Sequence, residues 1–317
     1  MCEVTVVIPN YNGKDYLIPC LDALYQNTKV KIRVVIVDNG SEDGSIERAE
    51  EKYPQAEYIL LRKNYGFCRA VNIGIKKADT PYVILLNNDT QVRQGFVEQL
   101  LSGIKNDKMI FSAEAKMIQY HDQSLTDSAG TFYTALGWAY ARGKDKPLDR
   151  YNKEISCFAA CAGAAIYRRD IFKEIGLFDE RHFAYLEDVD IGYRARIHGY
   201  KNIYLPKAEV IHVGSAASGS RYNKFKTRYS SRNNVYMSYK NMPLFQLLLN
   251  LPFLCLGFAV KTAFFYKKGL GKEYLQGLRE GISICQRSSK VPFKIKYMSN
   301  YLKIQAELWI NSVKMLV

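Results

Sequence analysis

A wholly apolar run in the chain ends abruptly in two amides and an acid. Residues 82–86 read YVILL, and Asn87, Asn88 and Asp89 follow directly. An apolar run without polar alternation is typical of a strand buried on both faces, as in the middle of a parallel sheet. The Asp89 carboxylate would then emerge at the carboxyl edge of the sheet, where open α/β sheets bind ligands. It can serve there as a ligand to a charged group or as the N-cap of a following helix.

A second segment, LEDVDIGYRARIHG, opens with three acids. Its pattern predicts a helix from about Glu187 to Gly199, a glycine suited to the position after a helix end. Acids in the first turn stabilise a helix by themselves, and Asp190 also has Arg194 one turn later on the same face. Asp188 has no basic residue at either helical spacing. Asp188 is therefore the candidate for chemistry in which an ionised carboxylate accepts a proton.

The N-terminal part of the chain alternates apolar strands with amphipathic segments of helix length. This order predicts right-handed βαβ units and an α/β fold with a mainly parallel central sheet flanked by helices. The predicted strands are residues 5–8, 34–37, 58–61 and 82–86, and the loops after them read PNYNG, DNGSEDGS, KNYG and NNDT. Parallel strands would place these four loops at one edge, where they form one crevice. Farther on, the Gly-rich and aromatic segment 130–143 predicts a hairpin or a mobile flap.

The four loops lack the usual phosphate-binding patterns. None reads G-x-G-x-x-G or G-x-x-x-x-G-K-[ST], which argues against a nicotinamide dehydrogenase. The loops carry amides, carboxylates and one arginine instead: Asn10, Asn12, Asp38, Asn39, Asn64, Arg69 and Asp89. Such groups suit the hydrogen-bonding edge of a base and the hydroxyls of a ribose.

The positive charge is concentrated in the C-terminal part of the chain. The 317 residues are 48% hydrophobic, enough for a full core, and carry a net charge of +14. Residues 1–220 contain 28 Lys and Arg and 28 Asp and Glu, so their charges balance. Residues 221–317 contain 17 Lys and Arg but only 3 Asp and Glu. We therefore expect an α/β domain over 1–220 and a basic region over 221–317. Seven cysteines without a C-x-x-C pair and no visible signal peptide predict a reducing cytosolic setting.

Six motifs occur in order and at compatible spacing. They are VVIPNYNG (6–13), VIVDNGSEDGS (35–45), NYGFCRAVNIGI (64–75), LLNNDT (85–90), FDERHFAYLEDVDIGYRARIHGY (178–200) and VIHVGS (210–215). Together they resemble family 2 glycosyltransferases of the GT-A fold, in particular the bacterial rhamnosyltransferase-like branch. The resemblance implies a GT-A catalytic domain, an inverting hexosyltransferase activity and a C-terminal helical extension that associates with a membrane.

The resemblance implies that a nucleoside-diphosphate sugar binds along the strand edge. The residues implied for donor binding are Pro9, Tyr11, Asn12, Asp38, Asn64, Gly66, Arg69 and Asn88. Pro9, Tyr11 and Asn12 would surround the base, and Asp38 would bind the base or ribose. Asn64, Gly66 and Arg69 would lie near the ribose and diphosphate. Two alternatives stay open: Asp38 as a turn-forming residue and Arg69 as a solvated helix residue.

Asn87 and Asp89 fall where the family carries its D-x-D metal motif. The resemblance implies that Mg²⁺ or Mn²⁺ binds Asp89, with Asn87 in place of the first acid and His212 as a further contact. One Asp can suffice when diphosphate oxygens supply other ligands. The alternative for His212 is a core or surface histidine without a ligand.

The E-D pair of the family falls on Glu187 and Asp188. The resemblance implies that Asp188 accepts the proton of the acceptor hydroxyl as this hydroxyl attacks C1 of the donor sugar. Glu187 would contact the acceptor or orient the loop. No enzyme nucleophile is required, so the anomeric carbon inverts.

Residues 244–266 are apolar over nearly the length of a membrane span, but two amides, a proline and a lysine interrupt them. The preferred prediction is an in-plane interfacial helix on an anionic membrane, with a buried core helix and a span as alternatives. Just before this segment, Arg228, Tyr229 and Arg232 could contact the diphosphate of the donor or of a lipid acceptor. Nucleic-acid binding is the other interpretation of a basic, Tyr-rich tail, but no nucleic-acid module is recognisable.

These observations predict a metal-dependent enzyme that moves rhamnose or a related sugar from a dTDP- or UDP-sugar. The acceptor would be a polyprenyl-linked or cell-wall polysaccharide, and the enzyme would lie peripherally at the cytoplasmic face of the cell membrane. One alternative is a sugar-phosphate nucleotidyltransferase, although PNYNG lacks the Gly-rich loop expected there. Another is a non-catalytic membrane scaffold of glycan assembly, if Asn87 marks a lost acid.

Overall fold

The computed structural model describes residues 2–214 and 222–315. Two features of the sequence lie outside these residues: the domain boundary expected at 220/221, and Ser215 at the end of the VIHVGS motif. The division into a catalytic domain and a C-terminal region therefore stays a prediction.

Twelve strands occur in the described residues. They are β1 (Val4–Asn10), β2 (Ile32–Asp38), β3 (Glu57–Leu60), β4 (Tyr82–Leu86), β5 (Thr90–Val92), β6 (Ile110–Gln119), β7 (Thr126–Ser128), β8 (Thr131–Tyr133), β9 (Ala139–Ala141), β10 (Ile155–Cys157), β11 (Ala164–Arg168) and β12 (Lys201–His212).

The same residues form ten α-helices. They are α1 (Leu17–Gln26), α2 (Ser45–Lys52), α3 (Phe67–Lys77), α4 (Phe96–Lys105), α5 (Phe172–Ile175), α6 (Glu187–Ile197), α7 (Lys224–Asn241), α8 (Leu244–Lys267), α9 (Gly271–Ser283) and α10 (Met298–Lys314).

Ten of the strands form one mixed sheet. Its order is β10-β12-β6-β11-β4-β1-β2-β3, with β5 on β12 and β7 on β6. The strands β4, β1, β2 and β3 are parallel neighbours, as predicted from their apolar sequences. Beyond them, β11 runs antiparallel to both β4 and β6. The loops that follow β1, β2 and β4 therefore share one edge of the sheet.

Three apolar clusters fill the fold. Two cover the two faces of the large sheet. The third joins the hairpin of β8 and β9 to helices α6, α7 and α10 through side chains that include Tyr133, Tyr193, Met237 and Leu308. The hairpin alternative for residues 130–143 is therefore confirmed, and the C-terminal helices share a core with the α/β region.

A buried carboxylate links α6 to α7. Asp190 is fully buried and accepts hydrogen bonds from Arg194 at 2.9 Å, Lys240 at 2.9 Å and Asn241 at 2.8 Å. The predicted pair with Arg194 is confirmed. Lys240 and Asn241 of α7 cover the carboxylate as well, which the sequence did not indicate.

Helix α8 has an inverted pattern of burial. Its buried residues are Gln246, Asn250, Leu254 and Gly257, whereas most of its leucines and phenylalanines are exposed. The Gln246 side chain accepts a hydrogen bond from Tyr193 at 2.8 Å. The buried-core alternative for this segment is therefore wrong. By length and composition, α8 is the one helix of the described residues that could cross a membrane.

We expect Asp190→Ala to destabilise the fold by about 3–5 kcal/mol, because it leaves the buried cations of Arg194 and Lys240 without their anion. The free energy of unfolding in urea measures this loss. The matched control is Asp170→Ala, which breaks an ion pair with Lys173 whose two side chains are 69% and 75% exposed and should change stability little. Equal effects of the two substitutions would contradict the buried role of Asp190.

Candidate active site

Asn10, at the end of β1, joins the ends of the two neighbouring strands. Its Oδ1 accepts a hydrogen bond from Asn88 at 2.7 Å, and its Nδ2 donates to Asp38 at 2.9 Å. Asn10 is fully buried, so these bonds form in a dry environment where they fix geometry strongly. The amide holds the loops after β2 and β4 together at the floor of the predicted crevice.

Asp38 is occupied by contacts within its own loop. Its carboxylate accepts hydrogen bonds from the backbone of Gly40 at 3.2 Å and Ser41 at 2.9 Å, and from the Ser41 hydroxyl at 2.6 Å. Only 4% of the residue is exposed. These contacts are the ones that the turn-forming alternative predicted for Asp38.

The loop after β1 presents an aromatic ring at the crevice mouth. The Asn12 backbone has a φ of 48° and donates to the Ser41 hydroxyl at 2.9 Å, while its side chain accepts from Glu42 at 3.2 Å. These contacts tie the loop to the one after β2. Tyr11 stays 37% exposed, and Pro9 is half-buried in β1. An exposed ring beside polar backbone suits stacking on a base.

The loop before α3 is shaped by two of the predicted donor residues. Asn64 accepts a hydrogen bond from the backbone of Gly66 at 2.8 Å. Gly66 has a φ of 91°, and a Cβ there would lie 2.5 Å from a ring carbon of Phe183, so a side chain does not fit. Arg69 is exposed and lies over the ring of Tyr65, with 4.3 Å from the guanidinium carbon to the ring centre. The solvated position considered for Arg69 is the one observed.

Strand pairing brings Asp89 and His212 together. β5 runs antiparallel to β12 with Thr90 opposite His212, and the His212 Nε2 lies 3.4 Å from the Asp89 Oδ1. The N-cap alternative for Asp89 is wrong, because a strand and not a helix follows it. Asp89 is 7% exposed, and its Oδ1 has no hydrogen-bond partner within residues 2–214 and 222–315. The Asn87 side chain lies beside Gly163.

Asp127, on β7, holds the other side of the histidine ring, and the sequence did not reveal it. Its carboxylate lies 2.8 Å from the His212 Nδ1 and also pairs with Lys144. Burial by itself would lower the pKa of His212, but Asp127 and Asp89 outweigh burial and raise it to about 9. Burial likewise opposes ionisation of Asp127, yet His212 and Lys144 lower its pKa to about 2. Its segment, QSLTDSAG, carries no recognisable motif.

The arrangement of Asp89 and His212 fits a divalent cation. The Asp89 Oδ1 pairs with the His212 Nε2 at 3.4 Å and accepts no hydrogen bond from the described residues. The Asp127 carboxylate orients the imidazole from behind, as is usual for metal-binding histidines. The described residues contain no group of three or more His, Cys, Asp or Glu that could hold a metal ion. A cation here would therefore need oxygens from a bound ligand.

A strained loop presents the two acids at the start of α6. Phe183, Tyr185 and Leu186 all have φ between 62° and 72°, which is rare for such residues and typical of functional sites. Glu187 is buried, and its Oε2 has no partner among the described residues, whereas Asp188 is half-buried. Burial raises the pKa of both acids, and the negative charge of Asp188 raises that of Glu187 further. Raised pKa values make the pair a stronger proton acceptor than free carboxylates.

Helix α7 holds this loop through Asn233. Its side-chain amide faces the carbonyl oxygens of His182, Ala184 and Tyr185 at 2.9, 2.8 and 2.7 Å. Arg232 adds a hydrogen bond to the His182 carbonyl at 2.8 Å. Arg228, Tyr229 and Arg232 were the residues predicted to act in this segment, and no sequence signal pointed to Asn233.

Glu114 is a further acid that sequence reasoning missed. It is fully buried on β6 and accepts hydrogen bonds from Ser128, from Thr131 at 2.9 Å and from the Cys161 backbone at 3.0 Å. Burial raises the pKa of Glu114 to about 7, and the charge of Asp188 adds to the rise. The sequence signal for this residue was that Glu114 is the single acid in the mainly apolar segment that forms β6.

The three side chains predicted to contact a diphosphate are engaged within the protein. Arg228 pairs with Glu280 at 2.9 Å, and Arg232 binds the loop before α6. The Tyr229 ring packs against that of Phe183 with 5.3 Å between centroids. Contact of these side chains with a diphosphate stays a prediction, while Arg232 and Tyr229 also contact the loop before α6.

The sequence matches a known family over more than half of its length. The model of the family described as Glycosyl transferase family 2 matches residues 5–176, more than half of the chain. The chain belongs to glycosyltransferase family 2. This family 2 enzyme is thus a glycosyltransferase, and inversion at the anomeric carbon is general in the family.

Three similar proteins illustrate the relationship. N-acetylglucosaminyl-diphospho-decaprenol L-rhamnosyltransferase of Mycobacterium tuberculosis is 28% identical over 241 residues, which cover 68% of this chain and 77% of the relative. The S. aureus protein TarS in complex with UDP-GlcNAc is 17% identical with a TM-score of 0.60, over 90% of this chain and 82% of that one. Mannosyltransferase PcManGT from Pyrobaculum calidifontis, in complex with GDP-Man and Mn²⁺, is 15% identical with a TM-score of 0.54, over 96% and 87%. The GT-A fold of this family 2 glycosyltransferase is confirmed.

Proposed function

We propose that this glycosyltransferase moves rhamnose or a related sugar from a dTDP- or UDP-sugar to a lipid-linked or cell-surface polysaccharide acceptor. The observation that carries the proposal is the pair of Glu187 and Asp188, held with raised pKa values by a strained loop beside the strand edge. The similarity to a rhamnosyltransferase whose name specifies a decaprenol diphosphate acceptor supports the choice of sugar and acceptor.

In this proposal Asp188 is the base. It is the more exposed of the two acids, so it can reach the acceptor hydroxyl and take its proton as the oxygen attacks C1. Glu187 lies deeper, with a free Oε2 that can bind another acceptor hydroxyl. The donor base would stack on Tyr11 between Pro9 and Asn12. Asp38, Asn64 and Gly66 would shape the ribose and diphosphate site together with Asn88, while Arg69 would approach the phosphates from solvent.

Asp89 and His212 would hold Mg²⁺ or Mn²⁺, with Asn87 nearby as a weaker ligand. The ion would neutralise charge on the departing nucleoside diphosphate. Its remaining ligands would be diphosphate oxygens, which explains why two protein ligands suffice. The presence of Mn²⁺ in the complex of the Pyrobaculum mannosyltransferase supports this part of the proposal.

We place the enzyme peripherally at the cytoplasmic face of a membrane, with α8 in the interface. The exposed stripe of α8 includes Phe245, Leu249, Phe253, Leu256 and Val260. A helix that buries its amides and exposes its apolar side chains has the pattern required against lipid. The basic excess of residues 221–317 adds attraction to anionic lipids.

Membership in the family removes the nucleotidyltransferase alternative. The scaffold alternative predicts a protein without turnover. Hydrolysis or transfer of any nucleotide sugar by the purified protein would exclude it.

We expect Asp188→Asn to lower single-turnover sugar transfer by about 10²- to 10⁴-fold, because the amide keeps the shape of the side chain but accepts no proton. Affinity for dTDP or UDP should stay near that of the wild type. Asp170→Asn, on the exposed surface, is the control for handling and folding. Full activity of Asp188→Asn in a folded protein would end the assignment of the base.

We expect Asp89→Ala to weaken binding of dTDP or UDP in the presence of Mn²⁺ by about tenfold or more, because the ion loses its carboxylate ligand. Calorimetric titrations with Mn²⁺ and with EDTA separate the metal-dependent part of the affinity. The variant and the wild type should bind equally in EDTA. An unchanged affinity in Mn²⁺ would remove Asp89 from the metal site.

We expect the double variant Leu249→Glu and Leu256→Glu to bind vesicles of phosphatidylglycerol and phosphatidylcholine at least about tenfold more weakly, because two apolar contacts become charges that anionic lipids repel. Co-sedimentation of the full chain measures this, since truncation would expose the core shared with the C-terminal helices. Leu60→Glu, at an equally exposed leucine on β3, is the control. Sedimentation of the double variant like the wild type would refute the membrane-facing role of α8.

A further inference from the structure

A cavity of about 230 Å³ lies between the loop before α6 and helices α7, α8 and α9. The residues that matter for its chemistry are Tyr185, Leu186, Lys226, Thr227, Lys261 and Tyr274. None of the functions assigned above uses it. Ala139 of β9 lines it as well, so its shape depends on segments from both halves of the chain.

Two hydroxyl groups in the cavity wall are buried and make no hydrogen bond to the part of the chain that the structure describes. The Thr227 Oγ1 and the Tyr274 hydroxyl make no hydrogen bond within the described residues. Thr227 is 3% exposed and Tyr274 is 2% exposed. A buried hydroxyl without a partner costs free energy, and few remain in native proteins without a reason. Both groups can donate to an acceptor placed in the cavity.

The charged groups of the cavity wall are both cations. Lys226 and Lys261 line it, and no Asp or Glu does. Lys261 continues the inward stripe of α8 one turn beyond Gly257, and its ammonium lies 5.3 Å from the ring centre of Trp138. The described residues offer Lys261 no ion-pair partner. Two ammonium groups and two free hydroxyls form a donor set suited to an anion.

The position of the cavity relates it to the reaction centre and to the membrane-facing helix. Leu186 is the residue immediately before Glu187, and Lys226 lies within electrostatic range of Asp89. Lys261 belongs to α8, whose opposite face is apolar and exposed. An anionic group in the cavity would therefore lie between the interfacial helix and the catalytic acids.

We propose that this cavity binds the diphosphate of a lipid-linked acceptor, with Lys261, Thr227 and Tyr274 as its ligands. The inference rests on the proposed function, since it identifies the part of the acceptor that the enzyme grips. The polyprenyl chain would run along the apolar face of α8, and the sugar would extend past Leu186 to Asp188. The donor diphosphate is the other source of the same chemistry, but its expected place is at Asp89, with Lys226 between the two sites.

The test uses the full-length protein in a neutral detergent, with EDTA present and geranyl diphosphate as the probe. Calorimetry compares the wild type with Lys261→Met and Tyr274→Phe. Loss of the ammonium should weaken binding about ten- to a hundredfold, and loss of the hydroxyl about two- to tenfold. The matched control is Lys272→Met, which removes the same charge from an exposed position on α9 outside the cavity. Binding of dTDP with Mn²⁺ should be the same in all four proteins.

The outcomes of this test distinguish the proposed diphosphate site from the proposed glycosyltransferase function. Unchanged affinity for geranyl diphosphate in folded Lys261→Met and Tyr274→Phe, or no binding by the wild type, would overturn the proposal. An equal loss of dTDP affinity in Lys261→Met would also overturn it, because the cavity would then serve the donor. Binding that depends on Lys261, in a protein that transfers no sugar, would retain the cavity site and reject only the proposed function.

Discussion

The carboxylate of Asp190 is the interaction on which the placement of the site depends. It lies on the helix that begins with Glu187 and Asp188, the two acids of the proposed reaction, and it is neutralised by Lys240 of α7 and Arg194 of its own helix. Arg194 in turn donates to the backbone carbonyls of Gly176 and Leu177. A buried charge is tolerated only when its partners are in place, so this network requires one arrangement of α6 and α7. The start of α6 is thereby fixed against the C-terminal helices.

The fold holds Glu187 and Asp188 in an environment that is unfavourable for two adjacent negative charges. Three residues of the preceding loop, Phe183, Tyr185 and Leu186, have positive φ, and burial opposes ionisation of both acids. Such a loop persists only if its surroundings over-determine it. Asn233 supplies this constraint by facing three of the carbonyl oxygens of the loop. The stability of the helical region thus maintains this loop and the proposed reactive carboxylate of Asp188.

Much of the architecture could be predicted from local sequence. Strands buried on both faces have apolar runs, so the sequence predicted β4 to the residue and β1 and β2 to within two residues at each end. The meeting of Asp89 with His212 depends on the pairing of β5 with β12, which no local pattern reveals, and only the family resemblance indicated it. Asp127, Glu114 and Asn233 act through partners far away in the chain. Their residue types are common, and their roles exist only after folding.

The two amides that interrupt the apolar sequence of helix α8 connect the fold to the proposed function. Gln246 and Asn250 interrupt an apolar sequence, yet they are one helical turn apart and form one face with Leu254. In α8 the polar stripe faces the protein and the apolar remainder is exposed, the arrangement that the proposed contact with lipid requires. The partner of Gln246 is Tyr193, a residue of α6, the helix that also carries Asp188. The same helix therefore positions the proposed base and the proposed lipid-facing surface. Under these proposals the packed core sets the depth at which a membrane-bound acceptor would meet Asp188.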